Sequence, residues 1–401
     1  MKHMDKLLFV LALTILATGL AGYGIKKAAA PSKKPSIVFA QWWENNPEKD
    51  ALANLIKEFK KSNEGIEVVL KAVSYEDLYR ELLGANSSPV LPGDVIALDT
   101  LWIPELKKKG DLEFQWQGGF QRLSPETPLV SFINVFYYNV DILREAGFSR
   151  PPKSRSEFLN IARAITSEEK GRWALSLGRN CSRGIYDDIF PWIWSAGAEL
   201  VKDGSPAVNS RPVIETLAFL ASLEQNGLIA PGGSSADAGK KLEDFVSGRA
   251  AFMIAPAKDI EFVRKRIGDN AFSVSSIPQP DNFSGKTFSA SSEWTVGVNS
   301  NSAFREEARL LADFIAEKAP LLSEKLMPRN RTQDPFYSKV RDIAIAGESS
   351  RELAGLPWGK LADVFNQELS VLFAGQTSAA DAAGAIQKKW EDVISSHLTK
   401  F

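Results

Sequence analysis

Cysteine and histidine are almost absent from this sequence of 401 residues, which contains one cysteine, Cys181, and two histidines, His3 and His397. A single cysteine cannot form an internal disulfide bond, and a zinc site of the cysteine–histidine type would lack its ligands. The histidines lie close to opposite ends of the sequence, so a catalytic constellation built on a histidine base is not expected. We therefore expect no metal, no cofactor and no catalytic residues.

The sequence also lacks an excess of either charge. It has 48 Lys and Arg residues against 49 Asp and Glu residues, a formal net charge of -1. Binding to a phosphate backbone needs a surplus of positive charge, so we expect no nucleic-acid partner. Tryptophan, in contrast, is frequent, with 10 residues. The length exceeds what one hydrophobic core usually serves, which favours two domains.

The first 35 residues are interpreted as an export segment and a linker. Lys2 and Lys6 precede a mostly apolar run at residues 7–25, and three alanines at residues 28–30 follow it. A basic start, an apolar centre and a small-residue site are typical of a secretory signal. The run is close to the ~20 residues that span a bilayer, so it is either cleaved or retained as an inner-membrane anchor. Both alternatives place the rest of the chain in the periplasm or another extracytoplasmic space.

Strand-like and helix-like segments alternate after this leader. Residues 36–40, 66–70 and 95–98 are short apolar runs that predict buried strands. Ser74 with Asp77, and Ser154 with Glu157, have the spacing of capping boxes that begin helices. Further helices are predicted at residues 211–225, 302–317 and 357–373 and from residue 378 onward. The alternation predicts an α/β fold with a parallel sheet.

Aromatic and acidic residues follow several of the predicted strands. In an open parallel sheet, ligands bind beyond the carboxyl ends of the strands, so these loops are the candidate site. The candidate ligand-binding residues are Trp42, Trp43, Glu44, Asn45, Asp99, Trp102, Tyr186, Asp187, Trp192, Trp294 and Trp358. Indole rings stack on the C–H faces of sugar rings, while carboxylates and amides bond to hydroxyl groups. The set predicts a sugar-binding cleft.

Each candidate also has a purely structural explanation. Alternation along a strand allows only one of Trp42 and Trp43 to face the loop, so we expect the other to be a core residue. Trp192 could equally be buried, because it lies two residues from Trp194. The carboxylates Asp99 and Asp187 could serve only to cap helices.

Several segments resemble the extracellular solute-binding proteins of ABC importers, in the carbohydrate-binding family that includes maltose-binding protein. The segments are GDVIALD at residues 93–99, YYNVDILREAG at 137–147 and, most specifically, FVSGRAAFM at 245–253. Together with residues 37–43 and 63–68, they extend the resemblance over nearly the whole chain after the leader. The stretch at residues 112–132 departs from the family, because it lacks the strand-like segment usual there.

The resemblance implies a two-lobed periplasmic binding protein fold, in which each lobe is a mostly parallel sheet flanked by helices and hinge crossings join the lobes. We expect lobe 1 at residues 36–134 and 296–337, and lobe 2 at residues 135–295 and 338–401. The crossings are expected near residues 135–139, 295–299 and 337–341. The family also implies a carbohydrate ligand, the membrane permease subunits of an ABC importer as partners, and a monomer.

Three other functions remain open at this point. A receptor for a glycerol phosphodiester or another anionic solute would need a converging arginine, for which Arg329 is the candidate. A carbohydrate-active hydrolase could use paired carboxylates among Glu44, Asp99, Asp187 and Glu293. A sensor subunit without an importer would use the same cleft without transport.

Overall fold

The computed structural model describes residues 34–43, 48–84, 90–110, 112–113, 128–179, 182–285, 287–326, 334–349 and 352–398. The export segment and the candidate residues Glu44, Asn45 and Arg329 lie outside these ranges. The chain from Ser36 to Phe401 forms one compact unit, and the following description concerns that unit.

Strands and helices alternate along the chain, as the sequence pattern predicts. The strands are β1 (Ser36–Gln41), β2 (Glu67–Ala72), β3 (Val95–Asp99), β4 (Leu112–Glu113), β5 (Val130–Asn139), β6 (Trp173–Leu175), β7 (Val201–Lys202), β8 (Ser205–Pro206), β9 (Ala250–Pro256), β10 (Phe272–Ser275), β11 (Thr287–Ser289), β12 (Ser291–Asn299) and β13 (Gly347–Ser349).

The α-helices are α1 (Glu48–Ser62), α2 (Tyr75–Leu83), α3 (Ile103–Lys109), α4 (Val140–Glu145), α5 (Arg155–Ile165), α6 (Ser182–Asp188), α7 (Phe190–Trp194), α8 (Arg211–Gln225), α9 (Ala238–Val246), α10 (Ile260–Ile267), α11 (Arg305–Leu326), α12 (Pro335–Ala346), α13 (Trp358–Phe373) and α14 (Ala379–Leu398). Ser74 and Ser154 are confirmed as N-caps: Ser74 Oγ accepts from the Asp77 N–H at 3.1 Å, and Ser154 Oγ accepts from the Glu157 N–H at 3.3 Å.

Two sheets share strand β5. The strand order is β2-β1-β3-β12-β5-β9-β6, with β10 also paired to β5 and β4 also paired to β12. Residues 130–133 of β5 pair with β12 in the first sheet, and residues 134–139 pair with β9 and β10 in the second. The chain therefore passes from the first lobe to the second inside one continuous strand, between Ile133 and Asn134.

The second crossing lies earlier in the chain than the sequence suggested. Strand β12 pairs along its length with β3 and β5 of the first sheet, so residues 295–299 lie inside that sheet. The crossing occurs beside Ala290, whose carbonyl accepts from the Asn134 N–H at 2.9 Å. The first and second crossings are thus hydrogen-bonded neighbours. Residues 337–341, expected at the third crossing, lie inside α12, and the preceding residues 327–333 are outside the described ranges.

Helices cover both faces of each sheet. Leu52 and Phe59 of α1 pack with Leu311 and Ile315 of α11 on one face of the first sheet. Helices α9, α10 and α12 cover one face of the second sheet. A third apolar cluster continues from α2 and α3 to α13, so the lobes share buried surface as well as β5. Within the described ranges, none of the helices has the length and apolar character needed to cross a membrane.

Candidate functional site

A cleft of about 580 Å³ opens between the two lobes. Residues from the first lobe, around the ends of β1 and β3 and the start of α2, form one wall. Residues of α6, α9 and the end of β9 form the other wall. The volume falls within the range of about 300–1,000 Å³ that is typical of small-molecule sites.

The first wall is aromatic. Trp42 lies edge-on to Tyr75, with 5.4 Å between ring centroids, and Trp43 lies 4.8 Å from Trp294. Antiparallel pairing of β12 with β3 sets Trp294 opposite Asp99, which explains why residues distant in sequence meet here. Both Trp42 and Trp43 line the cleft, and Trp43 is also a buried core residue, as the sequence pattern predicts for one of the two. Trp42 is half-buried, because it lies just beyond the last residue of β1.

Arg183 of α6 connects the two walls. Its Nη1 donates to Asp99 Oδ2 of the first wall at 2.5 Å, and its Nε donates to Asp187 Oδ2 of the second wall at 3.0 Å. Its Nη2 donates to the Ser291 carbonyl at 3.2 Å. Asn134, at the crossing in β5, donates to the other oxygen of Asp187 at 2.8 Å. The Arg183 guanidinium thus connects the two lobes. It contacts the second crossing directly at Ser291 and the first crossing through Asp187, which is bonded to Asn134.

Asp99 is the most engaged carboxylate of the cleft. Besides the contact with Arg183, it accepts from the Leu101 N–H at 2.9 Å and from the Tyr75 hydroxyl at 3.0 Å. Burial raises the pKa of Asp99, and the charge of Arg183 opposes that rise. Burial also works against the charge of Arg183, but Asp187 and Asp99 outweigh it and raise the pKa of Arg183 well above its usual value.

The second wall is built from ion pairs. Lys241 Nζ donates to the buried carboxylate of Asp188 at 2.5 Å, and the Gly178 N–H donates to the same carboxylate at 2.7 Å. Burial raises the pKa of Asp188 to about 6, against the opposing effect of Lys241. A Cβ atom at Gly184 would lie 1.9 Å from the Gly178 carbonyl oxygen, so only glycine permits this close approach of α6 to the loop.

Four candidate residues do not line the cleft. Trp102, Tyr186, Trp192 and Trp358 are each at most 2% exposed and belong to the apolar core. Trp102 lies behind Trp42 and Tyr75, at centroid distances of 5.7 and 4.8 Å. Trp102 follows a strand and points backward into the core, whereas the other three rings lie on helices whose buried faces they join.

The candidates that the structure brings together at the cleft are Trp42, Trp43, Asp99, Asp187 and Trp294. The sequence analysis did not single out Arg183, Tyr75, Lys241 or Lys258, which also line it. One available signal was the spacing of Arg183 and Asp187, four residues apart on α6, where oppositely charged side chains meet. The described residues contain no cluster of three or more His, Cys, Asp or Glu side chains arranged to hold a metal ion.

The sequence matches the family described as bacterial extracellular solute-binding protein over residues 44–320. The chain belongs to this family. Its members are substrate-binding proteins that act outside the cytoplasm, and the two-lobed architecture expected from the sequence is confirmed.

Individual proteins are similar at low sequence identity. A putative binding protein of Brucella abortus (strain 2308) is 22% identical over 369 residues, which cover 83% of this chain and 89% of that relative. The GacH receptor of Streptomyces glaucescens, solved without ligand and with acarbose, has a TM-score of 0.73 at 16% identity and covers 90% of this chain and 99% of its own. The maltodextrin-binding domain MalE of Bdellovibrio bacteriovorus, bound to maltotriose, has a TM-score of 0.72 at 19% identity, over 90% of this chain and 100% of its own.

Proposed function

We propose that this protein is the receptor subunit of an ABC importer, which captures a sugar or oligosaccharide outside the cytoplasm and delivers it to membrane permease subunits. The observation that carries the proposal is the cleft between the lobes, with an aromatic wall facing a wall of charged side chains. Rings can stack on the faces of a sugar while charged groups bond to its hydroxyls. The ligands named for the Streptomyces and Bdellovibrio proteins, acarbose and maltotriose, support the same class.

We propose that lobe 1 comprises residues 36–133 and 291–326, and that lobe 2 comprises residues 134–290 and 335–398. These limits follow the strand pairing, which changes sheets after Ile133 and again before Ser291. The two crossings would act as a hinge, and a ligand that contacts both walls would stabilise the closed arrangement by its differential affinity.

The engagement of the carboxylates favours binding over catalysis. Both oxygens of Asp99 accept hydrogen bonds, from Leu101, Tyr75 and Arg183. Both oxygens of Asp187 are engaged as well, by Asn134 and Arg183. A glycosidase needs one carboxyl group free to protonate the leaving oxygen and a second free to attack or to activate water. We therefore propose that the ligand leaves the cleft chemically unchanged.

An anionic ligand is less well supported than a neutral sugar. Of the four lining cations, Arg183, Lys241 and Lys258 each form an ion pair with a lining carboxylate, and Arg80 pairs with Asp77 outside the lining. A phosphate group would have to compete with one of these carboxylates to gain a cation. Arg329, the candidate for that role, lies outside the described residues.

A thermal-shift screen against a panel of sugars and polyols tests the receptor function. A sugar at about 100 times its dissociation constant should add about 2.7 kcal/mol to the free energy of unfolding. Chromatography after prolonged incubation should then return the bound sugar intact. A panel in which glycerol phosphodiesters stabilise the protein and sugars do not would favour the anionic alternative, and shortened oligosaccharides would favour the hydrolase.

The apolar segment at residues 7–25 is proposed to direct export, followed either by cleavage near Ala30 or by retention as an anchor. The mass of the protein isolated from the cell envelope distinguishes these outcomes. Loss of about thirty N-terminal residues would indicate cleavage, whereas the full mass together with extraction only by detergent would indicate an anchor.

A further inference from the structure

The two lobes also contact each other between α2 of the first lobe and α13 of the second. Tyr79 of α2 is buried, and its hydroxyl oxygen accepts from the Gly359 N–H at 3.2 Å. The first N–H groups of a helix have no acceptor within that helix, and Gly359 is the second residue of α13. One of the first N–H groups of α13 thus donates to a side chain of the other lobe.

This contact accounts for the glycine at position 359. A Cβ atom there would lie 2.2 Å from Cε1 and 2.4 Å from Cζ of the Tyr79 ring, which is far too close for carbon atoms. Alanine is a better helix former than glycine, so helix propensity does not favour glycine inside α13. Glycine is needed because α2 and α13 approach each other so closely.

Successive turns of α2 contact different helices of the second lobe. Tyr75, one turn before Tyr79, has its ring centroid 5.8 Å from the guanidinium carbon of Arg183 on α6. Glu76 and Arg80 of the same helix line the cleft. The contact with α13 therefore lies beside the cleft, and α2 positions this part of the aromatic wall relative to the second lobe.

The loop before α13 approaches the first lobe as well. Gly355 has a φ of +82°, and a Cβ atom there would lie 3.2 Å from Cβ of Pro104 in α3. Burial raises the pKa of Glu105 in α3, and the charge of Lys360 in α13 opposes that rise. Opposite charges on the two lobes thus attract each other next to the packed helices.

We propose that the contact of Tyr79 with Gly359 is a latch, which holds the two lobes together before a solute binds. Both are positioning residues, since they join the lobes and do not belong to the described lining of the cleft. A solute would then enter a cleft whose walls already face each other, so less binding free energy would be lost to closing the lobes. This inference rests on the proposed function, since it concerns the conformation in which the same cleft receives its sugar.

Gly359→Ala places a methyl group inside the latch and tests it. The methyl group forces α2 and α13 apart, and the lobes can then separate about the crossings. Small-angle scattering of the exported protein, dialysed free of sugar, should give a radius of gyration about 1 Å larger than that of the wild type, which is about 21 Å for a compact chain of this length.

Gly384→Ala is the matched control for this substitution. It makes the same change inside α14, where a Cβ atom would meet no other atom within 4 Å. The radius of gyration of this variant should equal that of the wild type.

Tyr79→Phe tests the latch without adding volume. The ring stays in place and only the hydroxyl group is lost, so the Gly359 N–H loses its acceptor in the first lobe. Hydrogen exchange of the Gly359 amide should become about tenfold faster. Exchange within α14 should not change.

The outcomes separate the inference from the function on which it rests. Equal radii of gyration for Gly359→Ala and the wild type, or an unchanged exchange rate at Gly359 in Tyr79→Phe, would overturn the latch. A lower free energy of unfolding in Gly359→Ala without a larger radius would show that the contact serves stability alone, which also overturns it. The scattering and exchange measurements need no ligand. If both agree with the latch and no sugar of the thermal-shift panel binds, the latch stands and the sugar receptor is wrong.

Discussion

The two walls of the cleft use different chemistry. All five aromatic residues of the described lining, Trp42, Trp43, Tyr75, Phe132 and Trp294, belong to the first lobe. The described lining contributed by the second lobe contains no aromatic residue and has seven charged ones. The first wall also carries the charged residues Glu76, Arg80, Asp99 and Glu293, so the rings are what the second wall lacks. A ligand on the second wall alone would gain no ring contacts, and contact with both walls would supply the differential affinity that a hinged receptor requires.

The walls also differ in what holds them in place. Packed rings behind the first wall depend on shape and volume, and their contribution to stability is insensitive to pH and salt. The second wall depends on buried carboxylates and their cations, whose contribution changes with protonation. Four substitutions or conditions distinguish these two kinds of support.

The largest effect is expected from removing the ring that supports the aromatic wall. Trp102→Ala should lower the free energy of unfolding by about 4 kcal/mol, because the buried indole contacts Trp42, Tyr75 and Tyr79 and leaves a cavity. Chemical denaturation measures this change. A decrease in the free energy of unfolding of less than about 1 kcal/mol would contradict the core position of Trp102 and would indicate that its ring lines the cleft.

The link between the walls should give the next largest effect. Asp99 is buried and Arg183 is largely covered, so Arg183→Met leaves an uncompensated buried carboxylate and should cost about 3 kcal/mol. Adding Asp99→Asn should recover part of this loss, with a coupling energy of about 2 kcal/mol in the double-mutant cycle. Strictly additive losses would mean that the pair does not connect the lobes in solution. Small-angle scattering should also show a larger radius of gyration for Arg183→Met.

Ring contact with the ligand should have a smaller effect. Trp42→Ala should weaken sugar binding about tenfold, or about 1.4 kcal/mol, because one stacking surface of the aromatic wall is lost. Trp173→Ala is the matched control, since Trp173 is also half-buried but lies outside the cleft, against Arg249. Calorimetry with the same sugar should find Trp173→Ala unchanged. Equal losses of affinity in the two variants would show that the rings of the first wall have no specific role in binding the sugar.

The smallest effect is a pH dependence confined to the second wall. The pKa of Asp188 is raised to about 6 in the folded protein, so the folded chain keeps this proton at a pH where the unfolded chain has lost it. The contribution of Asp188 to stability is therefore greatest below about pH 4 and decreases as pH rises to about 6. Between pH 5 and pH 7 the wild type should lose about 1 kcal/mol that Asp188→Asn does not lose. Parallel pH profiles for the two proteins would contradict this account.

The sequence predicted the architecture better than it predicted the site. The periodicity of apolar residues along strands and helices is a local signal, as are the capping residues Ser74 and Ser154. The structure contains the helices that these two residues predict. The second crossing was misplaced by a few residues because strand pairing over long sequence distances decides it. Nothing near Thr295 in the sequence indicates that its neighbour across the sheet is Leu98.

Site residues were harder to predict, because a position after a strand does not fix the direction of the side chain. Trp42 and Trp102 follow strands in the same way, yet one is half-buried at the cleft and the other is fully buried. Arg183 was missed for a related reason. Its partner Asp99 is distant in sequence, and only the packing of the two lobes against each other brings them together.

The late position of β12 in the chain has a kinetic consequence. This strand lies between β3 and β5 and completes the first sheet, whereas the strands of the second sheet are all present once residue 275 has been made. Until residues 291–299 follow, β1, β2 and β3 have no strand to connect them to β5. Closing so long a loop is slow, since chain entropy is lost before the pairing is gained. During synthesis and export, the second sheet can therefore assemble first, whereas the aromatic wall is complete only after Trp294 has been made.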